Sequence, residues 1–227
     1  FTSYEYTGYY IKVPAKNLSK AIKLFSEIIF HPVFMKADID KERGVIGEEI
    51  KMYNDLPQEK IKDVFNTKMY GDHPLGRDIA GSLESIENID KEVLEDFKRE
   101  HYYQDNMVLV IAGDTLDEEV KDLAQSTFGR EKVESGKKHL VLETPKMKIS
   151  QKFIDVKQAS EQAHIVIGGF SVERNHKYEY PLKLAMTILS DGFGSKLFQV
   201  LREKHGIAYY LGGGIATFED SGKYLIK

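Results

Sequence analysis

The strongest constraint on the fold is that the hydrophobic pattern changes period several times along the chain. Apolar side chains recur at helical spacing from Leu18 to Ile29 and again within 38–53 and 58–70, which predicts amphipathic helices. Thr2–Val13 alternates between two faces, and Met107–Ala112 is a continuous apolar run, so both segments are predicted to be strands. Because helices and strands mix without a strict βαβ alternation, the sequence predicts an α+β fold.

The second part of the chain repeats this mixture after a polar interval. Residues 131–148 are rich in Lys, Glu and Gly, which is typical of a linker. Beyond them we predict a strand over 163–170, a helix over 178–189 and a strand over 206–218. The 227 residues therefore divide into predicted domains at 1–130 and 149–227. Because the chain starts without Met inside one predicted strand and ends inside another, we expect an internal piece of a longer protein.

Composition excludes several classes of protein. The chain has 32 basic and 36 acidic residues, a net charge of −4, which argues against a nucleic-acid binder that relies on phosphate contacts. No apolar stretch approaches the roughly 18 residues that a membrane span needs. Cysteine is absent, which excludes disulfides, thiolate zinc sites and cysteine nucleophiles. A chain without cysteine also favours a reducing compartment, and we expect a cytoplasmic protein.

Two carboxylates share one side of the helix predicted over 38–53. Its apolar stripe is formed by Ile39, Ile46, Ile50 and Tyr53. Glu42 and Glu49 are assigned to that stripe, and seven residues is close to two turns, so their side chains point the same way. A buried carboxylate is costly unless it is paired, hydrogen-bonded or bound to a metal. The alternative is that both reach the rim of the stripe or pair with basic neighbours. Their axial separation of roughly 10 Å makes one a candidate ligand and the other an assisting acid.

The histidines do not complete a metal site by themselves. No two of them are four residues apart, so no helix offers two imidazoles to zinc from one face. They are His31, His73, His101, His139, His164, His176 and His205. A complete zinc site is therefore not visible in the sequence.

A further candidate pair follows the helix predicted over 196–204. Arg202 lies near the end of this helix, Gly206 makes a turn, and Tyr209 is predicted to enter a strand. Guanidinium and phenol groups can donate hydrogen bonds to a carbonyl or to a developing oxyanion. The alternative is a helix C-terminus followed by a packed tyrosine.

Together these segments resemble the pitrilysin/insulinase family of zinc peptidases, the inverzincins, which include the mitochondrial processing peptidases. Residues 42–49 are similar to the family helix that follows a His-x-x-Glu-His motif and donates a glutamate to zinc. Three other segments, 73–81, 102–114 and 192–209, are similar to later parts of the family pattern. The resemblance covers nearly the whole chain.

The resemblance implies two related α/β-sandwich-type units with largely antiparallel sheets flanked by helices, the second one truncated. It implies that Glu49 is a zinc ligand, that Glu42 is an assisting catalytic acid, and that Arg202 and Tyr209 bind substrate and stabilise the tetrahedral intermediate. The implied cofactor is zinc, which polarises a scissile carbonyl and activates water. The implied substrates are peptides or unfolded protein segments, and the implied assembly is a homodimer or a two-chain complex.

One departure from the family pattern is large, because the His-x-x-Glu-His motif is missing from the sequence. We expect the chain to begin after that motif, so that the parent is a zinc metalloendopeptidase and this chain alone is inactive. The alternative within the family is a non-catalytic scaffold or substrate-presenting subunit. A binding module outside the family is a third possibility.

Overall fold

The computed structural model describes residues 1–130, 153–158 and 160–227. The chain forms two compact units that interleave along the sequence. Among the described residues, the first unit comprises Phe1, Thr7–Glu48 and 82–130. The second comprises Thr2–Tyr6, Glu49–Gly81, 153–158 and 160–227. The linker predicted over 131–148 lies outside the described residues, so the predicted domain boundaries stay predictions.

Helices dominate the described residues, and those predicted from hydrophobic period are present. They are α1 (Leu18–Phe30), α2 (Lys36–Asp55), α3 (Pro57–Tyr70), α4 (Leu83–Glu87), α5 (Lys91–His101), α6 (Asp117–Thr127) and α7 (Glu179–Ser190). Local signals set several helix starts: Asp90 accepts a hydrogen bond from the Val93 N–H at 2.9 Å at the start of α5, as an N-cap residue does. Within the described ranges, no helix combines the length and the apolar character needed to cross a membrane.

The sheet belongs to the second unit and is antiparallel. Its strands are β1 (Ile167–Ser171), β2 (Gly213–Thr217) and β3 (Gly222–Ile226), in the order β1-β3-β2. The backbone of Gly213 packs closely here, because a Cβ at this position would lie 2.6 Å from the Leu225 carbonyl oxygen. Helices with a small antiparallel sheet confirm the predicted α+β class.

The core of the second unit joins α3 to the sheet. Its buried members are Met69, Tyr70, Leu75 and Phe218, and the partly buried side chains packed against them are Tyr4, Phe65, Phe170 and Ala216. Aromatic rings meet edge to face in this core, with ring centroids of Tyr70 and Phe170 5.3 Å apart, a favoured geometry for such pairs. The end of α3 is thereby fixed against the sheet.

Two strand predictions are wrong. Within Thr2–Val13 the Ser3 N–H donates to the Tyr6 carbonyl oxygen at 2.8 Å, so the chain turns back instead of continuing as a strand. Met107–Ala112 was expected to be buried, yet Val108 and Val110 are 89% and 79% exposed. A strand is stabilised by hydrogen bonds to a neighbouring strand, and no strand of the described residues pairs with either segment. Alternating or continuous apolar residues are therefore not sufficient to predict a strand.

The strands of the second unit are shorter than predicted. The segment expected over 163–170 forms a strand only from Ile167 to Ser171. The segment expected over 206–218 forms a strand only from Gly213 to Thr217, because only these residues pair with β3. Tyr209 therefore precedes β2 and does not lie in a strand, contrary to the prediction.

Candidate functional site

The two carboxylates of α2 lie on its exposed flank. Glu42 and Glu49 are both exposed, whereas Gly47 and Ile50 are buried. At about 100° of rotation per residue, Glu42 and Glu49 stand roughly 80° and 100° away from Ile50 around the helix. The prediction that both carboxylates share a buried stripe is therefore wrong. Their exposure agrees with the alternative in which both side chains reach the rim of the stripe. Because neither carboxylate is buried, the cost of burying a charge is no argument that either one binds a metal.

An arginine next to Glu42 fixes the orientation of α2 in the first unit. The Arg43 side chain donates from Nε to the Ile86 carbonyl oxygen at 3.1 Å and from Nη2 to the Ile89 carbonyl oxygen at 2.8 Å. Its Nη1 donates to Asp40 at 2.6 Å. Hydrogen bonds from Lys36 and then from Arg43 lower the pKa of Asp40.

Arg43 thus binds carbonyl groups at and beyond the C-terminal end of α4, where cations are favourable. Two N–H groups of one rigid guanidinium bind these carbonyl groups, and together they fix both the distance and the rotation of α2 relative to the end of α4. Sequence reasoning did not identify this role. The available signal was an arginine four residues from Ile39 and three from Ile46, next to the apolar stripe of the helix.

The described residues alone do not fit a catalytic zinc ion. A catalytic zinc site usually has three protein ligands, but nowhere in residues 1–130, 153–158 and 160–227 do three or more His, Cys, Asp or Glu side chains cluster as a metal site requires. Glu49 contributes one exposed carboxylate. The assigned roles of Glu42 and Glu49 remain predictions.

The structure brings Arg202 and Tyr209 into contact. Arg202 lies in a π-helical segment, Phe198–Lys204, and π-helical turns often occur at functional sites. Gly206 adopts φ +63° and turns the chain, so that the Arg202 Nη1 donates to the Tyr209 carbonyl oxygen at 3.0 Å. The guanidinium carbon lies 4.6 Å from the centroid of the Tyr209 ring.

A second ring, which sequence reasoning missed, flanks the same guanidinium. The Phe198 ring centroid is 4.9 Å from the Arg202 guanidinium carbon. Phe198 also packs edge to face with Phe193, with centroids 5.2 Å apart. Four residues separate Phe198 from Arg202, the helical spacing at which side chains are neighbours, and this spacing was the available signal.

The Arg202–Tyr209 pair stands at the surface. Tyr209 is 85% exposed, so the alternative of a packed core tyrosine is wrong. Arginine carries five N–H donors, and the bond to Tyr209 leaves donors to bind a carbonyl or carboxylate. Nearby aromatic rings restrict the guanidinium without using its N–H donors. The arrangement suits recognition of an extended peptide backbone.

Two sequence models of one peptidase family together match nearly the whole chain. The model described as "Insulinase (Peptidase family M16)" matches residues 1–83, and the model described as "Peptidase M16 inactive domain" matches residues 88–227. The chain therefore belongs to peptidase family M16, the pitrilysin/insulinase family that the sequence resembles.

Relatives from several bacteria align along the full chain. "Uncharacterized zinc protease YmxG" of Bacillus subtilis is 33% identical over 226 residues, which are 100% of this chain and 54% of the relative. An "Uncharacterized zinc protease" of Rickettsia felis is 31% identical over 227 residues, again 100% of this chain and 54% of the relative. The chain thus spans about half the length of these relatives.

Solved structures support the same fold. A protease from Helicobacter pylori matches with a TM-score of 0.77 at 21% identity, covering 94% of this chain and 52% of that one. Pitrilysin matches with a TM-score of 0.62 at 20% identity, covering 94% of this chain and 24% of that one. At these identities the likeness shows the fold alone.

Proposed function

We propose that the protein to which this chain belongs is a zinc-dependent metalloendopeptidase that hydrolyses peptides or unfolded protein segments. The observation that carries the proposal is the match of both M16 family models along the chain. It is supported by relatives that are named zinc proteases and align with the entire chain. The exposed, stacked Arg202–Tyr209 pair is an additional feature suited to a peptide ligand.

The four predicted site residues have three roles in this proposal. Glu49 is the zinc ligand that this chain supplies, and Glu42, seven residues earlier on the same flank of α2, is the assisting acid. Arg202 and Tyr209 bind the substrate carbonyl and stabilise the oxyanion that it becomes, as donors aimed at developing charge do. The other zinc ligands are not assigned to described residues, so this chain alone is proposed to be inactive.

The proposal extends to assembly and location. We propose a homodimer or a two-chain complex, which the family resemblance suggests. We propose a cytoplasmic location, which the absence of cysteine from the 227 residues favours. The net charge of −4 supports a peptide as the partner in preference to a nucleic acid.

Peptide cleavage by the full-length protein tests the proposal. We expect cleavage of a quenched fluorescent peptide that a chelator abolishes and added zinc restores. The matched control is the 227-residue chain, which should cleave nothing and retain no stoichiometric zinc after dialysis. A full-length protein that binds peptide but never cleaves it would favour the scaffold alternative. One zinc ion held tightly by Glu49 in the 227-residue chain would contradict the proposal that the zinc site of this chain is incomplete.

A further inference from the structure

A tight turn near the start of the chain docks on the sheet of the second unit. The Ser3 N–H donates to the Tyr6 carbonyl oxygen at 2.8 Å, which places Tyr4 and Glu5 at the tip of the turn. The segment Thr2–Tyr6 belongs to the second unit although the residues on either side of it do not. Its place in that unit therefore depends on the contacts made by a very short piece of chain.

Tyr4 supplies the buried half of these contacts. Its hydroxyl oxygen accepts a hydrogen bond from Asn66 Nδ2 at 2.8 Å. Its ring packs edge to face on Phe218, with centroids 5.7 Å apart. The Lys223 ammonium nitrogen lies 5.1 Å from the centroid of the Tyr4 ring. Tyr4 is thus one of the groups that cover the Lys223 amine.

Lys223 is an unusual residue for the interior of a sheet. It is only 7% exposed, and lysine is almost never fully buried without a charged partner. Its Nζ donates to Asn66 Oδ1 at 2.6 Å and lies 5.7 Å from the Phe218 ring centroid. Burial lowers the pKa of Lys223 to about 8, against a smaller opposing effect of Asp63. The amine therefore depends on its aromatic and amide cover.

Glu5 supplies the exposed half of the contacts. Its carboxylate pairs with the Arg174 guanidinium and accepts a hydrogen bond from the Glu219 N–H at 2.6 Å. The side chains of Arg174 and Glu5 are 47% and 22% exposed. Exposed ion pairs contribute little to stability and are screened by salt. The Glu5 contacts are therefore the ones that solution conditions can weaken first.

We propose that Tyr4 and Glu5 form a clasp on the β2–β3 hairpin that opens as a unit while the rest of the second unit stays folded, and that opening uncovers the Lys223 amine. The clasp is defined by Tyr4 and Glu5 together with their partners Asn66, Arg174, Phe218, Glu219 and Lys223. Regions held by few contacts open locally before the whole protein unfolds.

The clasp joins residues that lie far apart in the sequence. Tyr4, Glu5 and Asn66 belong to the region that matches the first family model, whereas Phe218 and Lys223 belong to the region that matches the second. Both sets lie in the same compact unit. The clasp is therefore one contact between the two matched regions that can open while the core around Tyr70 and Phe218 still joins them, and it does not depend on the proposed peptidase activity.

Amine labelling of the 227-residue chain tests the clasp. The protein is treated with an acetylating reagent at pH 8, and the labelling rate of each lysine is followed by mass spectrometry. Lys196 is exposed and serves as the internal reference. We expect Lys223 to be acetylated far more slowly than Lys196. Tyr4→Ala should increase the acetylation rate of Lys223 by about tenfold or more without changing that of Lys196. A Lys223 that reacts as fast as Lys196 in the unaltered chain would overturn the proposal.

Glu5→Gln tests the exposed contacts of the clasp. It also provides a second test in case Tyr4→Ala does not fold. We expect it to accelerate Lys223 labelling, and we expect 1 M NaCl to accelerate labelling in the unaltered chain but not in Glu5→Gln. The matched control is Glu173→Gln, which removes the same charge from an exposed side chain next to Arg174. If Glu5→Gln and Glu173→Gln changed the Lys223 labelling rate equally, Glu5 would not be part of the clasp.

The dependence on urea distinguishes clasp opening from global unfolding. A local opening exposes little surface, so the Lys223 labelling rate should hardly change at low urea concentration. A rate that rises with the full slope of global unfolding from the lowest urea concentration would show that no separate opening exists.

Discussion

Helix α2 and the segment 198–209 both carry predicted functional side chains, but they hold them in different ways. In α2, Glu42 and Glu49 are exposed, and helix periodicity alone gives them a common direction. In the segment 198–209, the Arg202 guanidinium lies close to the rings of both Phe198 and Tyr209 and donates to the Tyr209 backbone. A helix fixes where a side chain starts, whereas stacking fixes the functional group itself.

This difference has a consequence for function. An exposed carboxylate on a helix is adaptable and acquires its final position from the ligand that it binds. A stacked guanidinium is pre-organised and loses less conformational entropy when substrate arrives. Substitutions in α2 should therefore lower zinc retention and activity together, whereas substitutions in the segment 198–209 should lower turnover at constant zinc content.

Glu49→Gln in the full-length protein should have the largest effect, a loss of both zinc retention and peptidase activity. A neutral amide is a weaker ligand for a cation than a carboxylate. The metal-free forms of Glu49→Gln and of the unaltered protein should melt at the same temperature because Glu49 is exposed, so any further difference reports the lost zinc. Metal analysis, peptide cleavage and a thermal melt provide the measurements, with the neighbouring Glu48→Gln as control. Full metal content with full activity would show that the helix has been interpreted wrongly.

Tyr209→Phe should lower kcat while zinc content stays constant. Loss of one oxyanion donor costs on the order of 10²–10³ in kcat. The phenol is 85% exposed, so removal of its hydroxyl should leave the melting temperature unchanged. The assay uses the native assembly, because a partner chain could otherwise supply the donor. An unchanged kcat/KM there would exclude Tyr209 from substrate binding.

Glu42→Gln should reduce activity less, by about 10–100-fold, with a smaller loss of metal than Glu49→Gln causes. The reason is that Glu42 is assigned to assist the site and not to bind the ion. The ratio of residual activity to residual zinc, measured for both variants in parallel, separates the two roles. Equal metal loss in the two variants would contradict the assignment.

Lys223→Met in the 227-residue chain should produce a pH-dependent change in stability. Burial lowers the pKa of Lys223 from 10.5 to about 8, so between these values the unfolded chain binds more protons than the folded one. The stability of the unaltered chain relative to Lys223→Met should therefore rise with pH across this window, by up to about 3 kcal/mol.

Urea unfolding at pH 8 and at pH 10 measures this change. Glu42→Gln and Glu49→Gln are the controls, because exposed substitutions typically change the free energy of unfolding by less than about 0.5 kcal/mol. Parallel pH profiles for Lys223→Met and the unaltered chain would refute the effect of burial.

The comparison also shows how far sequence patterns reach. The helices over 18–30, 36–55 and 57–70 follow from apolar spacing, because a helix forms its hydrogen bonds within its own segment. The strands predicted at Thr2–Val13 and Met107–Ala112 do not form, because a strand depends on a partner that a local pattern cannot supply. Apolar spacing also failed to locate the edge of the α2 stripe, and Glu42 and Glu49 were placed on the wrong side of that edge.

The sequence by itself determined the family, the seven-residue spacing of Glu42 and Glu49, and the turn at Gly206. These features depend on neighbours in the chain. Only the tertiary structure decided that Arg43 binds carbonyl groups at and beyond the end of α4, and that Lys223 is buried beneath Tyr4 and Phe218. Burial and pairing arise from residues that are distant in sequence, and a local hydrophobic period contains no information about which distant residues those are.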